Sequence, residues 1–169
     1  MTDRTPGSLA TTPRAHDRRA VGAAALVGAG LMAGVDEIVF HQVLAWHSFY
    51  DRGTEELALL SDGLLHGAEL VALVAGAGLL ADLLRRGSLR RRPAVAGLLL
   101  GLGGFQFFDG VVNHKLLRVH QVRYDVDLLP YDLAWNGAAL ALLLAGAVLL
   151  LLDRRAAAGQ GVRPGRPAP

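Results

Sequence analysis

The segment LALLLAGAVLLLL, Leu140 to Leu152, carries no charged or polar side chain in any direction. A helix on the surface of a soluble bundle needs a polar outer face, and this one has none to offer. Lipid suits it better than water. Three further segments have the same character: about Ala20 to Trp46, Gly63 to Leu84 and Ala94 to Val119, with Leu133 to Leu152 enclosing the quoted stretch. Each reaches the length of roughly 20 residues that a bilayer core requires. The first and third carry polar residues in their last third. The chain as a whole is 52% hydrophobic with a mean hydropathy of +0.35. The predicted fold is therefore all-α, a four-transmembrane-helix bundle in a lipid bilayer.

Arginines set the orientation. Arg4, Arg14, Arg18 and Arg19 precede the first span, and Arg85, Arg86, Arg90, Arg91 and Arg92 lie between the second and third. Arg154, Arg155, Arg163 and Arg166 follow the fourth. Only Arg52, Lys115, Arg118 and Arg123 fall on the other side. Basic residues gather in cytoplasmic loops, so both termini are expected in the cytoplasm, with two extracytoplasmic loops. Arg18 and Arg19 ahead of an apolar run imitate a signal peptide. The same pattern recurs in the third span, so a retained anchor is expected. A net charge of +2 and a pI near 9.5 are explained by these helix-end arginines. No basic patch is interleaved with aromatics, which argues against nucleic acid as a partner. The chain has no cysteine, which excludes disulfides, thiolate ligands and thiol catalysis.

A duplicated polar pattern interrupts the apolar background. Asp36-x4-His41-x5-His47 recurs at the same spacing as Asp109-x4-His114-x5-His120. Each copy is followed by a second matched element, Asp62-x3-His66-Gly67-Ala68 and then Asp132-x3-Asn136-Gly137-Ala138. The organisation expected is a disordered tail (1–19), repeat one (20–84), repeat two (94–152) and a disordered tail (153–169). Each repeat starts and ends on the same side, giving two parallel-repeat helical hairpins related by an axis along the membrane normal. Gly30-x3-Gly34, Gly97-x3-Gly101 and Ala72-x3-Gly76 are spaced for close helix contact. Gly101, Gly103 and Gly104 lie mid-span with no preceding strand, so they are packing glycines rather than a dinucleotide loop.

Titratable groups inside a bilayer are costly and usually functional. On a straight α-helix Asp36 and His41 diverge by about 140°, and Asp36 and His47 lie roughly 16 Å apart along the axis. A metal site would then draw one His per helix: His41, His66 and His114, with Glu69 as carboxylate, since His66 and Glu69 face together at i, i+3. Asp36 and Asp109 would orient the imidazoles from behind, and His47 and His120 would form an outer pair. Trp46, Phe49, Tyr50, Tyr124 and Tyr131 are expected as an interfacial aromatic belt.

The run from Phe105 to His120 contains Phe107-x-Asp109-Gly110-Val111-Val112-x-His114-x-Leu116-Leu117-x2-His120. It resembles the signature of an uncharacterised family of predicted bacterial four-helix membrane proteins. The resemblance covers most of Ala20 to Leu152 and implies a multi-pass bacterial membrane protein, without supplying a reaction. The first copy departs from the signature, with Glu37 where the second has Gly110.

Imidazole with carboxylate suits Zn, Fe, Cu(II) or Mn, while two methionines and no cysteine give poor support to Cu(I). The leading expectation is a protein that holds a transition metal near the extracytoplasmic face, or hands it over, with a respiratory complex as one recipient. A membrane metalloenzyme or a haem redox protein is the second reading. A structural bundle, or a proton or ion relay without metal, is the third. Four short spans would bury their polar faces more fully as a homodimer.

Overall fold

The computed structural model describes residues 13–160, and these form helices joined by short loops, with no strand among the described residues. Helix α1 (Pro13–Val35) runs directly into a π-helical segment, π1 (Asp36–Val43). Helix α2 (Glu55–Arg85) follows, then α3 (Arg91–Phe108) continuing into π2 (Asp109–Leu117), and finally α4 (Leu128–Gln160). Four stretches, Asp17–Val43, Glu55–Arg85, Arg91–Leu117 and Leu128–Gly159, are long and apolar enough to cross a membrane. The four expected spans are thus present. Two boundaries move: α1 begins at Pro13 and α4 runs to Gln160, so residues assigned to the tails are helical at 13–19 and 153–160. A helix does not stop where hydropathy stops, because its backbone hydrogen bonds continue into polar sequence. The remaining tail positions lie outside the described residues.

Helices α1 and α3 pack on each other at the centre, while α2 packs on α1 and α4 packs on α3. Among the described residues the α2 and α4 backbones do not approach each other closely. Small residues permit the central crossing: a Cβ added at Gly101 would collide with the Ala25 carbonyl, and one at Gly28 with the Leu98 carbonyl. In lipid such close backbone approach replaces the hydrophobic drive between helices. Gly97 also faces α1, whereas Gly30 and Gly34 face α2 at Leu73 and Glu69.

The two ends of the bundle differ. At one end α2 and α3 are joined by a short turn, and Arg90 spans α1 and α4 through Asp17 (2.7 Å) and Asp153 (2.8 Å). At the other, the loops 44–54 and 118–127 cross, with the Asp51 amide donating to the Val119 carbonyl at 3.0 Å. This loop end carries the polar residues.

Candidate metal centre

Two local features bring the polar residues together. The first is the π-helix itself, whose extra residue per turn turns an i, i+5 pair from nearly opposite faces towards one. His41 Nε2 lies 3.7 Å from Asp36 Oδ2, and His114 Nε2 lies 3.0 Å from Asp109 Oδ2. The expected divergence of Asp36 and His41 is therefore corrected: it assumed α-helical winding. The second feature is a left-handed residue just beyond each π segment, Ala45 (φ 46°) and Arg118 (φ 52°). Backbone bonds close each reversal, from Trp46 to the Phe40 carbonyl (2.9 Å) and from Val119 to the Asn113 carbonyl (3.0 Å). Non-glycine residues rarely adopt this conformation, so the strain marks a constrained site. The reversal folds His47 back onto its own π turn, and the axial separation expected between Asp36 and His47 disappears. His120 returns in the same way.

The result is a chain of four imidazoles in contact. Ring centroids are 4.6 Å apart for His41–His47, 4.7 Å for His47–His120 and 4.6 Å for His120–His114. Asp36, Asp109, His114 and His120 are at most 1% exposed, and His41 and His47 are buried beside them.

Each outer histidine is held by the other loop. His47 Nδ1 meets the Val122 carbonyl at 2.8 Å, and His120 Nδ1 meets the Phe49 carbonyl at 2.8 Å. A carbonyl oxygen only accepts, so Nδ1 must carry the hydrogen in both rings. In a neutral ring this tautomer leaves Nε2 as the lone-pair atom, and Nε2 of His47 has no partner although it is buried. Nε2 of His120 likewise makes no aligned hydrogen bond, its nearest acid being Asp109 Oδ1 at 3.4 Å. Burial, and then the charges of His120 and His41, press the His47 imidazole from its usual 6.5 down to about 3.

The inner histidines differ. His41 Nδ1 sits 2.9 Å from Glu37 Oε2 and 3.1 Å from Asp62 Oδ1, and Asp62 Oδ1 also accepts the Phe49 amide at 2.6 Å. His114 Nδ1 has no partner. Gly110 stands where the first copy has Glu37, and a Cβ there would crowd Trp135 Cδ1 (2.7 Å) and Asn136 Oδ1 (2.5 Å). Asn113 donates to Asp109 Oδ1 at 2.9 Å.

Three groups have ligand-capable atoms within 4.8 Å of one another: His47, His114 and His120; Asp36, His41 and His47; and Glu37, His41 and Asp62. His66 and Glu69 are in none of them. His66 has a half-exposed side chain and pairs with the buried Glu69 at 2.7 Å, against Gly34. The set that the structure assembles is His41, His47, His114 and His120 with Asp36 and Asp109; Asp62 enters as the partner of His41. The matched Asp62 and Asp132 elements signal that this position matters. No side-chain pattern signals the Phe49 and Val122 carbonyls, because main chain is common to every residue. An open hollow of about 460 Å³ at the loop end reaches His41 and His47 past Asp51 and Tyr124.

Trp46 and Tyr131, expected in an interfacial belt, pack with Phe40 and Trp135, with Arg123 over the Trp46 ring at 4.8 Å.

Residues 23–153 match a family described as Predicted membrane protein (DUF2243). No curated protein and no solved structure matches the chain.

Proposed function

The chain belongs to the DUF2243 family of predicted membrane proteins, and we propose that it binds a transition metal in a His/carboxylate centre at the loop end of its bundle, to hold it or hand it on. The observation that carries this reading is the pair of buried His47 and His120 rings whose Nδ1–H groups are tied to main-chain carbonyls while Nε2 lacks an aligned partner. A ligating histidine ordinarily has its second nitrogen anchored in this manner. A purely structural polar network would satisfy its buried atoms, since each orphan costs about 1–3 kcal/mol. Here both Asp36 oxygens, Asp109 Oδ2 and His41 Nε2 are also without hydrogen-bond partners. The donors are nitrogen and oxygen, which suit Zn, Fe, Mn or Cu(II).

The haem reading has less support. The imidazoles touch one another at 4.6–4.7 Å, which leaves no slot for a macrocycle between two of them. The matched π segments, left-handed residues and crossed loops favour two parallel-repeat hairpins. The arginine distribution favours cytoplasmic termini, so that the hollow beside His47 opens outside a bacterial cytoplasmic membrane and admits the ion there.

Elemental analysis of the full chain purified in detergent tests this reading. Stoichiometric Zn, Fe, Mn or Cu is expected, with loss on His47→Ala. Protein that stays metal-free at neutral pH after incubation with each ion, and shows no haem absorption, would overturn it.

A further inference from the structure

We infer that the centre takes two divalent cations, one in each half, bound by Asp36, His41 and His47 and by Asp109, His114 and His120. This rests on the metal-binding reading above and goes beyond it in number, ligand assignment and relative affinity.

Geometry is the first ground. Each half supplies two imidazoles and one carboxylate, the donor set of a facial triad with positions left open. In the second half Asp109 Oδ2 is 3.0 Å from His114 Nε2, and Asp109 Oδ1 is 3.4 Å from His120 Nε2. In the first, ligand atoms of Asp36, His41 and His47 lie within 4.8 Å of one another. The triads abut where His47 stacks on His120 at 4.7 Å, parallel to within 4°. Two ions side by side can share a small ligand in their open positions.

Charge is the second. Asp36, Glu37, Asp62 and Asp109 are all buried around these rings. Their ion-pair contacts among the described residues are to His41, His114 and His120, with no Lys or Arg. Lys115, the nearby cation of π2, is engaged with Asp132 at 2.6 Å. Isolated buried carboxylates carry a large desolvation cost. Four carboxylates in their ligating, deprotonated form would carry four negative charges, which two dications match.

The halves are unequal, which ranks the two sites. His41 Nδ1 faces both Glu37 and Asp62, so its Nε2 is the stronger donor, and three acidic groups surround that ion. The second half has Gly110 in place of Glu37 and a His114 Nδ1 without a partner. The first site is therefore the tight one and the second the exchangeable one, with His120 beside the crossing of the loops.

Manganese titrated into chelator-treated, full-length protein in detergent tests the inference. Two Mn(II) per chain are expected, taken up in separate steps at least 10-fold apart in affinity, with a magnetically coupled electron paramagnetic resonance signal at saturation. His114→Gln should retain one ion and show an isolated Mn(II) signal. One ion in the wild type would overturn the two-ion inference and leave metal binding intact, whereas none with Mn, Zn, Fe or Cu would overturn both. Two ions retained by a folded His114→Gln protein would overturn the assignment of ligands. Should that variant fail to fold, the wild-type count and coupling decide alone.

Discussion

The imidazoles of His47 and His120 stack in parallel, 4.7 Å apart at their centroids, and each is anchored to the loop that carries the other. His47 reaches the carbonyl two residues beyond His120, and His120 reaches the carbonyl two residues beyond His47. Neither loop can move without loosening a histidine of the other half. Binding of the proposed metal would therefore be coupled to the packing of the loop end, and a bound ion should stabilise the fold as any ligand of the native state does.

Asp62 is the clearest test of how the site is supported. It touches His41 Nδ1 and the Phe49 amide, and Phe49 in turn anchors His120. Asp62→Asn is expected to lower metal affinity by about 10- to 100-fold, with occupancy recovered at higher metal concentration. His66→Ala should leave metal content unchanged, since His66 pairs with Glu69 away from the four rings. Titration with elemental analysis separates the two, and metal loss in His66→Ala would restore that residue to the ligand set.

Acid should destabilise the metal-free loop end in a defined window. The folded chain holds His47 at about 3 against an ordinary 6.5, so between those values the unfolded chain binds a proton that the folded chain refuses. By linkage the contribution is complete above pH 6.5 and is lost as the pH falls towards 3. Thermal melts of the chelated protein should fall across that window, and His47→Gln should flatten the trend. An unchanged slope in that variant would refute the assignment.

Ala45 offers a stability test that leaves the ligands alone. A non-glycine residue in the left-handed region costs roughly 1–2 kcal/mol, and Ala45 sits there at φ 46°. Ala45→Gly is expected to stabilise by about 1 kcal/mol, offset in part by glycine's greater freedom when unfolded. Ala45→Val should destabilise and reduce metal content, because a branched side chain tolerates this conformation least. The melting temperatures of both variants check the pair.

Orientation can be read chemically because the chain has no cysteine of its own. Cysteines at Arg52 and Asp127, in the crossed loops, should react with an impermeant maleimide applied to intact cells. One at Ser88, in the turn between α2 and α3, should react only after lysis. The reverse pattern would place the proposed metal centre on the cytoplasmic side.

Hydropathy determined the spans, because the cost of a charge in lipid is set by composition along the chain and needs no partner. The repeated Asp-x4-His-x5-His likewise marked the six groups that meet at the loop end. Their arrangement was not legible. α-Helical winding separates Asp36 from His41 and carries His47 away from both, which is why His66 and Glu69 looked like the nearer ligands. Tertiary structure brings the six together through the π turns at Asp36 and Asp109 and the reversals at Ala45 and Arg118. Neither reversal carries a glycine that would announce it. Each reversal is closed by a bond within its own half, but the histidines returned in this way are held by bonds that cross between the halves, from His47 to Val122 and from His120 to Phe49, and such bonds exist only once both halves have folded against each other.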